Sequence, residues 1–299
     1  MYNIDIQTNP YSSFNYWFIP TTYGVYEIYK EGALYGSYYM HKDTIKLPDN
    51  TPIVNPSILV DFENWKARPE GRISSVMDYP ETADDAIELY DTLIVGIAAI
   101  RAFKSTKQDP DQYIEKFQSV LSWLHSTDFY TAPASTVYHD SEPHGLLYHT
   151  LRVIFNIWEL HSISKFQKCE LDSLTLCALT HDWCKIGLYS TYQRNVKSET
   201  TGKWEQVTAY RRDEPTIPLG HGVESLYKAM KVFKLNDEEA AAIRWHMGEY
   251  NVASNEVNEL HAANERYPLV QMLQFADRLS IVKYLSLIHI SEPTRPLYI

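Results

Sequence analysis

The stretch LTHDWCKIG, residues 179–187, places a histidine and an aspartate side by side, followed by a cysteine and a lysine, inside an apolar run. His181 and Asp182 could be solvated neighbours at the end of a helix, or they could hold a common ligand. Imidazole nitrogens and carboxylate oxygens both bind metals. The second possibility therefore predicts further histidines and aspartates that converge on the same point.

More residues of these two types lie in helix-like apolar segments of the second half of the chain, namely His149, His221, His246 and Asp277. A single histidine on such a helix is more often a core or rim residue than a ligand. Burying several imidazoles and two carboxylates without compensation would cost many kcal/mol, and a divalent metal would supply that compensation. Helical bundles are suited to such sites because facing helices direct side chains inward.

The composition is that of a globular protein, with 44% hydrophobic and 22% charged residues among 299. This length fits one large domain, or a main domain with a smaller partner. The net charge of -11 argues against a general nucleic-acid-coating protein, but it permits a local basic site. Three cysteines without paired spacing are interpreted as reduced thiols of a cytoplasmic protein. The longest apolar run, LIVGIAAI, has eight residues, so the protein is expected to be soluble.

The predicted fold is mainly α: a helical bundle with an inserted β-hairpin and a small, aromatic-rich, partly β N-terminal region. Residues 1–80 form that region, because nine tyrosines occur in the first forty positions, in short runs between turn formers. Residues 81–284 form the helical domain, and the turn TTGKW, residues 200–204, predicts the hairpin. The apolar spacing predicts helices within residues 81–103, 109–126, 144–163, 171–187, 220–233, 236–250 and 267–285.

The last segment, LSLIHISEPTRPLYI, residues 285–299, resembles the translation of a sequencing adapter. We expect that the natural sequence is lost after about Tyr284, so this tail is excluded from functional reasoning and His289 is not counted as a ligand.

The ordered set His149, His181-Asp182 and Asp277 is similar to that of the HD-domain metal-dependent phosphohydrolases. The contexts GLLYHTLRV, ALTHDWCKIG and QFADRLS resemble that family locally, and the similarity covers about residues 130–284. The segment PAS followed by GLLYH also resembles HD domains of nucleic-acid-processing proteins, including bacterial 3′-to-5′ exoribonucleases. The resemblance implies an HD-domain bundle that cleaves phosphate esters of nucleotides or of single-stranded nucleic acid ends.

The resemblance also implies roles for single residues. His149, His181, Asp182 and Asp277 would bind a first divalent metal. Asp182 would bridge to a second metal, which His221 and His246 would complete. The metals would be Mn, Fe, Mg or Ni, and a metal-activated hydroxide would then attack the phosphate ester.

Several neighbours are candidates for supporting roles. Lys185 could neutralise a phosphate oxygen or lie on the surface at a helix end. Glu224 could orient His221 or assist a proton transfer, or be an ordinary surface acid. Cys184 is better explained as a core thiol than as a nucleophile. His139 and His144 could line the mouth of the site and touch phosphate, or simply be solvated loop histidines.

The predicted hairpin adds a local excess of positive charge. From Lys185 to Arg212 there are six basic residues against two acidic ones, which favours a phosphate-containing substrate. The hairpin residues predicted to bind it are Arg194, Lys197, Trp204 and Tyr210, and the aromatic ones, with Tyr192, could stack on a base. A solvated hairpin with ordinary charge alternation is the alternative.

Two other function classes remain open. A non-catalytic regulatory HD module would bind a nucleotide without hydrolysing it, but such a module is expected to have lost ligands, and all six are present here. A di-iron oxygenase of the same superfamily could share the ligand types. The expected partner is a nucleotide or single-stranded nucleic acid, with no membrane, and the sequence predicts no oligomeric state.

Overall fold

The computed structural model describes residues 17–22, 25–30, 33–39, 42, 44–55, 59, 79–106, 111–162, 169–198, 200–215 and 217–281. The adapter-like tail lies outside these residues. The chain separates into two compact units. One comprises Met1–Pro80, Asp91–Leu121 and Glu170–Asp172, and the other comprises Glu81–Tyr90, Ser122–Cys169 and Ser173–Ile299. The predicted boundaries at residues 80 and 284 stay predictions.

The first unit contains an antiparallel sheet of five strands in sequential order. The strands are β1 (Trp17–Thr22), β2 (Val25–Lys30), β3 (Ala33–Tyr39), β4 (Thr44–Lys46) and β5 (Pro52–Ile53). Alternate residues such as Tyr26 and Ile28 are buried and pack with Phe18, Tyr38 and Ile45. Period-two burial of aromatic and β-branched side chains is the pattern of a strand with one covered face.

Eight α-helices have described bounds, so the chain is mainly α as predicted. They are α1 (Ala83–Thr106), α2 (Asp111–His125), α3 (Gly145–Ser162), α4 (Leu171–Thr180), α5 (His221–Met230), α6 (Asp237–Trp245), α7 (Val257–Arg266) and α8 (Pro268–Ile281). Three features differ most from the predictions. Helix α4 ends seven residues early and α6 five residues early, and α7 was not predicted because only Leu260 and Ala263 of its ten residues are buried. Among the described residues, no helix is long and apolar enough to cross a membrane.

The helices of the second unit meet where the histidines lie. Helix α8 packs against both α3 and α6, and α5 packs against α6 and against a short 3-10 helix, Trp183–Lys185. Helix α6 begins at a capping box, in which Asn236 and Glu239 exchange side-chain and backbone hydrogen bonds. This arrangement brings the start of α5 and the ends of α4 and α6 towards the middle of α3 and α8.

The predicted hairpin is present between the 3-10 helix and α5. Strand β6 (Tyr189–Lys197) pairs with β7 (Trp204–Arg212) in antiparallel register over nine residue pairs. Gly202 adopts φ +66° in the connecting turn, a conformation that favours glycine.

Candidate metal centre

His181 and Asp182 lie in a turn between α4 and the 3-10 helix, rather than inside a helix. The turn is part of the core, since all thirteen residues from 173 to 185 are buried. Its outer side is held by Trp183, whose indole N–H donates to the Tyr90 hydroxyl over 2.9 Å, and that hydroxyl donates to the Leu179 carbonyl over 2.9 Å. A buried turn needs such partners for its backbone and polar groups.

Helix α5 holds the other side of the same turn. The Ser225 hydroxyl accepts the backbone N–H of Cys184 at 3.0 Å. The Lys228 ammonium donates to the carbonyls of Trp183 at 3.0 Å and Ile186 at 3.2 Å. The position of the His181-Asp182 pair is therefore fixed from two directions.

The two oxygens of the Asp182 carboxylate face different imidazoles. Oδ2 lies 3.2 Å from His149 Nε2 and 3.4 Å from His181 Nε2. Oδ1 lies 2.9 Å from His221 Nε2 and 3.6 Å from His246 Nε2. Asp182 thus stands between two pairs of ring nitrogens.

Asp277 joins the first of these pairs from α8. Its Oδ1 lies 3.2 Å from His149 Nε2, and the His149 and His181 Nε2 atoms are 3.4 Å apart. The structure therefore brings together all six residues proposed as ligands from the sequence, and it places five of them in buried positions, with His221 at the partly exposed edge.

The hydrogen bonds of the outer ring nitrogens fix the tautomers of two histidines. His181 Nδ1 is 2.7 Å from the Ala178 carbonyl, and His246 Nδ1 is 2.7 Å from the Ile243 carbonyl. A carbonyl oxygen can only accept, so each Nδ1 carries the proton. Each neutral ring then presents an Nε2 lone pair to the cluster, as in metal-ligating histidines.

Ser280 has the same effect on His149, and sequence reasoning missed it. The Ser280 hydroxyl donates to the Asp277 carbonyl at 2.6 Å, so its oxygen is left to accept from His149 Nδ1 at 3.0 Å. A serine one helical turn after Asp277 gives no sequence signal of its own. Its role depends on the contact between α8 and α3.

This donor set fits a cation. The carboxylates of Asp182 and Asp277 lie against the Nε2 atoms of His149 and His181, an arrangement that calls for a positive charge among them, either a bound cation or a proton on His149. His246 Nε2 is buried and has no hydrogen-bond partner among the described residues. Ligand atoms within 4.8 Å of one another form the groups His149-His181-Asp182 and Asp182-His221-His246. These buried groups could hold a metal ion.

His221 differs from the other imidazoles of the cluster. Its Nε2 donates to Asp182 Oδ1, while its Nδ1 lies 3.1 Å from the Cys184 sulfur. To bind a metal through Nε2, the ring must move its proton to Nδ1, beside a sulfur that accepts only weakly. Burial lowers the pKa of His221 to about 4, although Asp182 acts in the opposite direction. The ring is therefore neutral near pH 7.

The Lys185 ammonium is the positive charge nearest to the Asp182 carboxylate. Its Nζ lies 2.7 Å from Asp182 Oδ2, and the side chain is largely buried. Burial opposes both charges, yet their attraction dominates: the pKa of Lys185 is raised and that of Asp182 is held well below its usual range. Burial likewise raises the pKa of Asp277, but the hydrogen bond and charge of His149, together with His181, outweigh it and lower the pKa. Burial lowers the pKa of His149, and the carboxylates of Asp182 and Asp277 reverse that effect.

Two other predicted roles meet different surroundings. Glu224 is buried and pairs with Lys228 at 2.9 Å, one turn along α5, while the contact to His221 comes from Cys184 instead. Cys184 is buried, as expected of a core thiol, and burial and then the Asp182 charge raise the pKa of its thiol. It is nevertheless packed against a candidate ligand.

The loop before α3 places His139 beside the cluster, whereas the His144 side chain forms a hydrogen bond elsewhere. His139 Nδ1 is 3.1 Å from Asp140, and its ring centroid is 5.2 Å from that of His149. Arg152 pairs with Asp140 and donates to the Ser280 carbonyl at 3.2 Å, which ties the loop to α8. His144 Nδ1 instead donates to the Tyr130 carbonyl at 2.7 Å, next to the first turn of α3.

The hairpin residues predicted to bind substrate project from exposed strands. Lys197, Trp204 and Tyr210 lie on one face, and Arg194 and Tyr192 lie on the other, because pairs in register share a face. Tyr210 is half-buried, and the other four side chains are exposed.

No family model, no curated protein and no solved structure matches this chain.

Proposed function

We propose that the protein is an HD-type, metal-dependent phosphohydrolase that cleaves phosphate esters of nucleotides or of single-stranded nucleic acid ends. The observation that carries the proposal is the position of Asp182, whose two oxygens face two separate pairs of imidazoles. A carboxylate so placed can share its oxygens between two divalent cations. The resemblance of the ordered ligands to the HD family supports the same assignment.

The proposed first site consists of His149, His181, Asp182 and Asp277, and the second of Asp182, His221 and His246. With nitrogen and carboxylate ligands, both sites suit Mn, Fe, Mg or Ni. Bound there, the cations would supply Lewis-acid activation of water and of the phosphate ester. The fixed Nδ1–H tautomers of His181 and His246 keep their lone pairs aimed at the sites without reorganisation.

The remaining residues serve the substrate in this proposal. Lys185 offers a positive charge to a phosphate oxygen, and it is already poised beside Asp182. His139, next to His149, contacts the phosphate from the loop side. Cations at the two sites would neutralise Asp182 in its place, so the ammonium would be available to the ester.

A pocket beside His221 could receive the ester. It has a volume of about 370 Å³ and is lined in part by Gly220, Arg244 and Tyr250. Arg244 is held by an ion pair to Glu256 at 2.9 Å and lies over the Trp245 ring. Because Glu256 also lines this pocket and partly neutralises Arg244, the exposed Tyr250 ring is the feature beside His221 that suits a nucleotide base.

The test compares two buried aspartates. Asp182→Asn removes the shared ligand, whereas Asp172→Asn changes a buried aspartate whose described partner is Lys104, at 2.6 Å. We expect the wild type with Mn²⁺ to hydrolyse bis(p-nitrophenyl) phosphate and to release phosphate from some members of a nucleotide panel. We expect Asp182→Asn to lose at least about 100-fold of this activity and Asp172→Asn to retain it, since even indirect ligand support contributes that much.

The assay also addresses the alternatives. If the wild type hydrolyses no phosphate ester with Mn²⁺, Fe²⁺, Mg²⁺ or Ni²⁺ while binding metal, the phosphohydrolase proposal is wrong. Iron-dependent oxygen uptake in the same preparation would then favour the oxygenase branch, and nucleotide binding without turnover would favour a regulatory module.

A further inference from the structure

The β6–β7 hairpin presents two chemically different faces. Residues that pair in antiparallel register point to the same side, and successive residues along a strand alternate between sides. Nine pairs at about 3.4 Å per residue give a ribbon about 27 Å long. The register from Tyr189↔Arg212 to Lys197↔Trp204 assigns every residue to one side.

One side, here called the Trp204 face, contains no acidic residue. It carries three aromatic rings, two basic groups and five neutral hydrogen-bonding side chains. Its members are Tyr189, Thr191, Gln193, Asn195 and Lys197 of β6, with Trp204, Gln206, Thr208, Tyr210 and Arg212 of β7. This composition is unusual in a protein with a net charge of -11.

The opposite face lacks that character. It carries Glu205, and its remaining β7 residues include the aliphatic Val207 and Ala209. The Arg211 guanidinium is engaged there by Asp213 at 3.4 Å and by the Ser190 hydroxyl at 2.9 Å. Positive charge on this face is therefore partly neutralised.

The binding groups of the Trp204 face are available to a ligand. Trp204 is 71% exposed, which is high for the largest apolar side chain. Lys197 and Arg212 are exposed, and neither forms an ion pair with a described residue. Gln193 donates to Thr208 across the strands at 2.9 Å, which supports the middle of the face.

The Trp204 face begins beside the candidate metal centre. Tyr189, its first residue, lies four positions after Lys185, whose ammonium is 2.7 Å from Asp182 Oδ2, and the Tyr189 hydroxyl donates to the Ala134 carbonyl at 3.4 Å. Tyr210 lies on the next pair of the same face, and Trp204 lies at the far end, about 20 Å beyond Tyr210.

We propose that the Trp204 face binds a single-stranded nucleic acid and leads its end to the metal centre. Unpaired bases would stack on Trp204 and Tyr210, and the phosphates would contact Lys197 and Arg212. This inference rests on the proposed phosphohydrolase function and specifies its substrate class. The interval of about 20 Å between the two rings corresponds to about six stacked nucleotides at 3.4 Å each.

A single strand fits this face better than a duplex. Stacking requires an open base surface, which paired bases inside a helix do not offer to an exposed indole. Two basic residues are few for a duplex-binding surface, where phosphate neutralisation supplies most of the affinity. The neutral amides and hydroxyls between the rings can bind bases or sugars without demanding one sequence.

The test measures binding without turnover. A 5′-fluorescein 15-mer of single-stranded RNA is titrated in EDTA with five proteins: the wild type, Trp204→Ala, Tyr192→Ala from the opposite face, and the double variants Lys197→Gln with Arg212→Gln and Arg194→Gln with Arg211→Gln. Fluorescence anisotropy gives each Kd. All altered side chains are solvent-accessible. Circular dichroism and unfolding midpoints check that each variant is folded.

We expect Trp204→Ala to weaken binding about tenfold or more, because one base stack is lost, and Tyr192→Ala to stay within about twofold. The Lys197/Arg212 variant should lower the slope of log K against log salt concentration by about 1.4, whereas Arg194→Gln with Arg211→Gln should not. Equal losses from both faces, or equal affinity for a duplex of the same length, would overturn the inference.

Activity separates this inference from the proposed function. With Mn²⁺, Trp204→Ala should slow the shortening of the RNA from its 3′ end by a much larger factor than the hydrolysis of bis(p-nitrophenyl) phosphate. If the small diester is cleaved but RNA does not bind, the strand inference fails and the phosphohydrolase stands. If RNA binds through the Trp204 face and no ester is cleaved, the proposed function fails instead.

Discussion

Replacing Ser280 by alanine tests whether the imidazoles are prepared for a metal. Ser280 does not belong to the predicted ligand set, so a metal effect in this variant must act through His149. Its hydroxyl donates to the Asp277 carbonyl and accepts from His149 Nδ1 at 3.0 Å. Alanine removes that acceptor and adds no group in its place.

The consequence for His149 follows from its burial. The ring is 1% exposed, so water does not replace the lost acceptor. The Nδ1–H form, which leaves Nε2 free for a metal, then loses its acceptor, while Asp182 and Asp277 at 3.2 Å still favour a proton on Nε2. A hydrogen bond to a carboxylate is the stronger one, and it occupies the nitrogen that a metal needs.

The magnitude follows from the behaviour of groups that orient metal ligands. Loss of such a partner typically weakens metal affinity by about 10- to 100-fold, which is about 1.4 to 2.8 kcal/mol of binding free energy. Loss of the hydrogen bonds themselves costs about 1–3 kcal/mol of folding stability. The two effects must therefore be measured separately.

Isothermal titration calorimetry with Mn²⁺ measures the first effect, and urea unfolding measures the second. Ser173→Ala is the matched control: Ser173 is also a buried serine, and its hydroxyl donates to the buried Glu239 carboxylate at 2.6 Å. We expect both variants to lose stability and only Ser280→Ala to lose metal affinity. Equal Mn²⁺ affinities in the two variants, within about twofold, would refute the tautomer argument.

Two further predictions concern His139 and His161, which lie outside the candidate ligand set. His139→Ala should raise KM for phosphate esters, because the proposed role of His139 is to contact the substrate. The metal content measured by mass spectrometry should stay that of the wild type. Loss of metal would instead make His139 a ligand, together with Asp140 and His149. His161 is buried, and its burial lowers its pKa below 6.5 despite the Cys169 carbonyl. The folded state therefore binds fewer protons than the unfolded chain. The contribution of neutral His161 to the free energy of unfolding is complete above pH 6.5 and is lost as pH falls below it, by up to about 1.4 kcal/mol per pH unit. Urea unfolding at pH 7, 6 and 5 should show a smaller acid loss in His161→Leu; an identical loss in both proteins would contradict this.

The parts of the structure that depend on local pattern could be predicted from the sequence. Helix α3 follows apolar periodicity, α1 was predicted from its capping residue, early acids and final basic residue, and Gly202 marks the hairpin turn. Among the six candidate ligands, His149 and Asp277 interrupt apolar helices with groups that are costly to bury, and the resemblance to the HD family selected the full set. Helix α7 could not be predicted, since its sequence VNELHAANER buries too few residues to produce an apolar pattern.

Contacts between distant segments could not be predicted. Ser280 meets His149 across 131 positions, and Arg152 reaches the Ser280 carbonyl across 128. Glu224 illustrates the same limit. Its spacing of three residues from His221 suggested a pair, but the Lys228 ammonium, one turn further along α5, takes its carboxylate. Spacing defines which groups can meet, and the competing partners decide which of them do.

The end of α4 explains why a histidine and an aspartate can stand side by side at this centre. Neighbours in an α-helix point about 100° apart, so a continuous helix would not aim both at one point. The chain leaves the helix at Thr180, and Asp182 adopts φ -108° and ψ 17°, which brings its Oδ2 to 3.4 Å from His181 Nε2. A helix end also leaves carbonyls without intrahelical partners.

His181 uses one of those carbonyls, that of Ala178 three residues earlier, and His246 uses that of Ile243 in the same way just after α6. The termination of each helix therefore supplies both the direction of the imidazole and the acceptor that fixes its tautomer. Extending either helix by one turn would return the carbonyl to a backbone N–H and release the ring. The two helix ends are thus as much a part of the candidate metal centre as the side chains that face it.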